Sequence, residues 1–146
     1  MNAKTPCSDY IKTNGIVFFA RMLDKIRLNA QGLLPHGYNL GFSDPGCFDA
    51  RFCRFWEIDF DKLAKRTLEG GSNEEVLDWC FAGRKQPNED QILAWNSFIE
   101  KLGWRDESSE ELERAKQVNG FGQRNDVQTW VDFHDVDEGR KPKFAE

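Results

Sequence analysis

A chain of 146 residues, 39% hydrophobic and 31% charged, is long enough for one cored domain and too apolar to remain disordered. Its net charge of −5 divides unevenly, +3 over residues 1–56 and −8 over residues 57–146, which leaves no basic stripe for a nucleic acid. The longest apolar run, Ile16 to Ala20, is far short of a membrane span, and the first fifteen residues lack a secretion leader, so the expectation is a soluble cytoplasmic protein with no membrane partner.

In chain order, glycines close amphipathic stretches and capping residues open them. The spacing predicts helices over about 15–30, 45–56, 60–69, 73–82, 89–102 and 109–119, with a weaker one over 126–134. Gly32, Gly70, Gly83, Gly103 and Gly120 fall where helices end. Asp44 before Pro45 reads as a cap with proline in the first turn. Asp59 caps the third helix, with Ile58 and Leu63 spaced as a hydrophobic staple. Ser72 with Glu75, Asn88 with Gln91 and Ser108 with Glu111 read as capping boxes. Val and Thr are scarce and no alternating run competes, so no strand is expected. The fold class is therefore all-α, a compact bundle of about six or seven short helices. It forms one domain over 1–146, with 1–13 and 139–146 as flexible ends.

The first helix holds most of the chemistry. Phe19, Met22, Leu23, Ile26 and Ala30 form its core stripe. Val17, Arg21, Asp24 and Leu28 share a second face, so the ionic residues Arg21 and Asp24 are bracketed by apolar ones. The loop over 31–44 is long for a structureless connection and carries Leu33, Leu34, Tyr38, Leu40 and Phe42, which predicts that it packs back onto that face. Two readings follow. One is a half-buried ligand site of Arg21, Asp24 and Lys25, lidded by His36 and Tyr38, in which the guanidinium forks onto a small anion. The other is a surface ion pair with Lys25 in water.

Phe48, Phe52, Phe55 and Trp56 make an aromatic core face on the second helix, opposite Cys47, Arg51 and Arg54. Cys47 is either an inert buried thiol or one activated by a helix start and an arginine. The spacing of Cys7, Cys47, Cys53 and Cys80 suits no zinc site, and the acidic turn Asp135-Val-Asp-Glu-Gly139 lacks the other ligands of a calcium loop. No nucleotide-binding glycine motif occurs, so neither a metal nor a cofactor is expected. Trp79 and Trp95 fall on apolar stripes and read as core, Trp104 should pack back on its helix after Gly103, and His134 lies with Val127, Trp130 and Val131.

Several segments resemble a bacterial family catalogued as a domain of unknown function, DUF5069. They are Arg21-Met-Leu-Asp-Lys-Ile-Arg27, Phe55-Trp-Glu-Ile-Asp-Phe-Asp-Lys-Leu63, Trp95-Asn96, Gly103-Trp-Arg-Asp106 and Asp135-Val-Asp-Glu-Gly-Arg140. The resemblance runs from about residue 14 to residue 140 and implies a bacterial, single-domain, helical protein. It carries no activity. Three functions follow: a binding or regulatory module for a small anionic ligand or partner near Arg21, an enzyme using the same cluster under the 31–44 loop, or a homodimer joined by surplus aromatic surface.

Overall fold

The computed structural model describes residues 4–144, and the outermost residues of the two expected flexible ends, 1–3 and 145–146, lie outside them. The described residues form a two-stranded hairpin, β1 (Lys12–Thr13) and β2 (Ile16–Val17). Seven helices follow: α1 (Phe19–Ala30), α2 (Phe48–Trp56), α3 (Phe60–Leu68), α4 (Asn73–Phe81), α5 (Glu89–Lys101), α6 (Ser109–Val118) and α7 (Trp130–Asp137). The fold is thus mostly helical. No described helix is long and apolar enough to cross a membrane. The chain divides into two compact units, Met1–Trp95 and Asn96–Glu146, with the division inside α5.

The hairpin corrects two expectations. The spacing predicts no strand, and a first helix that begins at about residue 15. Instead Lys12 pairs with Val17 and Thr13 with Ile16, across a two-residue turn of Asn14 and Gly15. Both turn residues have positive φ, 47° and 84°, the requirement of a type I′ turn, and Asn-Gly is the pair that meets it at least strain. Residues 4–13 are also fastened down. The Lys4 N–H donates to the Leu33 carbonyl (2.9 Å), and the Phe18 N–H donates to the Asp9 carbonyl (2.9 Å).

In the first unit, α1 packs against α3 and α4. Phe19, Met22 and Leu23 are fully buried as the stripe predicts, whereas Ala30 is exposed in the last turn. Phe52 is the centre of the aromatic core, 5.5 Å from the ring of Phe19 and 5.1 Å from that of Trp95. The Trp95 indole N–H finds the Val17 carbonyl at 3.0 Å, which satisfies the polar edge of a fully buried ring. Two aromatic expectations fail. Phe55 and Trp79 face outward, because α2 buries Phe52, Cys53 and Trp56 while α4 buries Val76, Leu77, Cys80 and Phe81.

The caps of α3 to α5 follow their signatures. Asp59 accepts from the Lys62 N–H, Ser72 from the Glu75 N–H, and Asn88 and Gln91 exchange side-chain acceptors for each other's N–H. Two other starts differ. Asp44 does not cap α2: its carboxylate folds back onto the Gly46 N–H at 2.7 Å, and the helix begins after Cys47. Ser108 makes no side-chain cap: its backbone lies in the right-handed helical region (φ −86°, ψ −8°) rather than the extended one a cap takes, and Asp106 accepts the Gly103 and Ser108 N–H groups.

In the second unit, Leu112, Val127 and Phe133 are the core, with Phe121, Trp130 and Val136 packed on it. Trp104 is exposed rather than packed back. The acidic turn is consumed internally, since Arg140 lies 3.3 Å from Asp135 and 2.6 Å from Glu138.

A candidate polar site on the first helix

The face of α1 that bracketed its charges is covered, as the apolar neighbours required. Arg21 and Lys25 are both buried. Their partners come from three segments that are distant in sequence.

Arg21 Nη1 donates to the Cys7 carbonyl at 3.0 Å, and its Nε lies 3.8 Å from the buried Asp9 carboxylate. The Tyr38 ring stands 5.8 Å from the guanidinium carbon, within cation–π range. Asp24 does not pair with Arg21. It accepts the Cys7 N–H at 3.0 Å and sits 4.0 Å from Arg27. The N-terminal segment is thus clamped between Arg21 and Asp24, one gripping the Cys7 carbonyl and the other its N–H.

Lys25 anchors the other side. Its ammonium donates to Asp49 Oδ1 at 2.6 Å and to the Asn39 carbonyl at 2.9 Å, and stands 5.3 Å from the Phe18 ring. Asp49 is fully buried and takes the Gly41 N–H on its other oxygen at 2.7 Å. Burial raises the Asp49 pKa above the ordinary carboxylate value, against the opposing pull of Lys25 and the Gly41 N–H. The Cys47 thiol donates to the Gly41 carbonyl at 3.1 Å.

Of the five residues expected to form a site, Arg21, Lys25 and Tyr38 come together. Asp24 lies beside them on the Cys7 side. His36 is exposed and joins none of these bonds. The loop over 31–44 covers the cluster, but by polar bonds rather than apolar packing. Leu33 is its one buried apolar side chain, while Phe42 points into solvent.

Asp9 and Asp49 were not anticipated. Asp49 left a trace in the sequence, since it precedes Phe52, Cys53 and Trp56 by three, four and seven residues. A carboxylate on a core stripe demands a buried partner. Asp9 left none. A further feature marks the spot. Phe18, just before α1, has φ 76° and ψ −30° while buried to 1% exposure. That backbone costs a phenylalanine about 1–3 kcal/mol and persists only where surrounding contacts hold it. Here the hold is the Asp9 carbonyl and the ring contact with Phe48 at 5.5 Å.

A family model for a domain of unknown function, DUF5069, matches residues 3–140. The chain belongs to that family. No curated protein matched it. The match spans nearly the whole chain and includes the α1 face, the loop and Asp49 of this DUF5069 member.

Proposed function

We propose that this DUF5069 protein is a bacterial, cytoplasmic binding module whose α1 face receives a small anionic ligand when the loop over 31–44 lifts. The observation that carries the reading is the Lys25–Asp49 pair. It is buried, charged, and completed on both sides by backbone groups of a loop that contributes little apolar burial. Segments held by few apolar contacts open at low free energy. Lifting the loop would strip Lys25 of the Asn39 carbonyl and Asp49 of the Gly41 N–H. A ligand taking the loop's place must return an acceptor to the ammonium and a donor to the carboxylate. A small hydroxy acid offers both.

Native-state hydrogen exchange tests the lid. The Gly41 amide should exchange through a local opening, well before the amides of Met22 and Leu23 in α1. Equal protection at all three would mean that the loop opens only when the unit unfolds, and the lid reading would fall. A panel of hydroxy acids screened by thermal shift supplies the ligand test, with a raised melting temperature as the expected sign.

A second reading shares the site. The raised pKa of Asp49 beside Lys25 is the kind of perturbation that proton-transfer sites use, which supports an enzyme working under the same loop. Turnover of a bound hydroxy acid, absent in Asp49→Asn, would favour it.

A further inference from the structure

A separate feature of the first unit lies away from the α1 face. A cleft of about 270 Å³ opens where α2 and α4 end. Phe55, Trp56 and Glu57 line one part and Phe81, Arg84 and Lys85 another, with Pro87 and Gln91 at the start of α5.

Its shape is fixed by Arg84. Nη2 donates to the Trp56 carbonyl at 2.8 Å, and Nη1 donates to the carbonyls of Glu57 (3.1 Å) and Cys80 (3.3 Å). The guanidinium therefore caps the last carbonyls of two helices, which is a structural role. Gln86 ties the connection down as well, through the Phe81 carbonyl at 2.9 Å. Glu57 is held by the same arginine in a left-handed conformation, φ 55° and ψ 55°, that a non-glycine residue rarely takes.

One group stays unsatisfied. The Trp56 indole N–H is buried and has no acceptor among the described residues. Buried donors are rarely left so, and each unmet one asks what fills the place. Trp56 is 4% exposed and lines the cleft. Its ring stands nearly perpendicular to those of Phe55 (84°) and Phe81 (86°), so two aromatic side chains pack directly against the indole. The Arg84 Nε–H is likewise outside its three carbonyl bonds.

We infer that this cleft binds a planar aromatic monocarboxylate. The ring would lie against Phe55 and Phe81, and a carboxylate oxygen would accept from the Trp56 indole N–H beside the positive charges of Arg84 and Lys85. The electrostatics set an upper limit on ligand charge. Two helix C-termini point their negative ends at the cleft, and the exposed Glu57 carboxylate stands 3.8 Å from Arg84. Arg84 has given three of its five guanidinium N–H groups to carbonyls, which leaves one Nη2 N–H and the Nε–H, and the neighbouring Glu57 carboxylate weighs against a doubly charged phosphate. A single carboxylate suits one indole N–H, a side-on Nε–H and a lysine. The volume, below the roughly 300 Å³ at which most ligand pockets begin, suits a single-ring compound.

The probes are sodium benzoate, cyclohexanecarboxylate and inorganic phosphate, added to the full ¹⁵N-labelled chain. The readout is the Trp56 indole ¹H–¹⁵N signal, identified by its loss in Trp56→Phe or, if that variant does not fold, by triple-resonance assignment. Benzoate should move this signal saturably, and the saturated carboxylate and phosphate should bind at least about tenfold more weakly. Lys85→Glu, at an exposed position, should weaken benzoate about fivefold or more while leaving the unliganded spectrum in place. Saturable movement with phosphate, or equal affinity for the two carboxylates, would overturn the ligand class. A Trp56 signal that benzoate leaves unmoved would overturn the site. Neither result bears on the loop over α1, whose Gly41 amide reports separately.

Discussion

Lys25→Met is the sharpest probe of the buried pair. Methionine keeps most of the side-chain volume and removes the ammonium. Lys25 is 5% exposed and Asp49 0%, so neither charge is relieved by water. Removing one partner of a buried pair costs about 3–5 kcal/mol, because the other is left desolvated. Against a typical domain stability of about 5–15 kcal/mol, that loss is a third or more. The loss should also depend on pH, with a sign that the pair fixes. Burial already raises the Asp49 pKa, and Lys25 is the strongest influence holding it down. Without Lys25 the folded pKa moves further above the unfolded value of about 3.9. Between those two values the folded chain keeps a proton that the unfolded chain has released, so stability falls as pH rises. Lys25→Met should therefore lie closest to the parent protein in mild acid and furthest from it at neutral pH. Urea unfolding of both proteins at about pH 5 and about pH 7.5 measures this. A neutral-pH loss below about 1 kcal/mol, or a loss equal at both pH values, would refute the claim that Lys25 compensates a buried charge.

Three further outcomes follow from the same contacts. Gly41→Ala places a methyl 2.7 Å from the Phe60 ring at φ +63°, so it should cost about 1–3 kcal/mol and speed alkylation of Cys47, whose thiol is held by the Gly41 carbonyl. An unchanged Cys47 rate would show that the loop tolerates the methyl. Burial pushes the thiols of Cys53 and Cys80 up to about 12, so iodoacetamide near neutral pH should label the half-exposed Cys7 while both stay unmodified in peptide mass spectra. Ser72→Ala removes the cap of α4 and should lower stability by about 1 kcal/mol in urea melts, with Ser72→Gly costing less.

Much of the helical fold was legible because its signals are local. A cap and the residue it serves are three positions apart, as Ser72 and Glu75 are, so both ends of the bond appear in one window. The hairpin escaped because each strand has two residues, too few for alternation to register. Asn14-Gly15 is the one local clue to the turn. The α1 face was half legible. Helical spacing identified Arg21 and Lys25 as charges on a covered face, yet it could not supply their partners. Asp9 reaches Arg21 across twelve residues and Asp49 reaches Lys25 across twenty-four. His36 failed for the converse reason, since membership of a loop says nothing of which way a side chain turns. The cleft was out of reach altogether. Phe55 looked like core on a helical wheel, and nothing near Trp56 in the chain reveals that its N–H lacks an acceptor.

The clasp of Arg84 has a kinetic consequence. Because three carbonyls hold that guanidinium, the Arg84 wall of the Trp56 cleft is set by bonds within the chain itself. Association there should be a single step, its observed rate climbing in proportion to ligand concentration. Entry beneath the loop on α1 would wait on breaking the bonds from Lys25 to Asn39 and from Gly41 to Asp49, so its rate would level off at the speed of that opening. Stopped-flow traces from one small chain would then show two different concentration dependences.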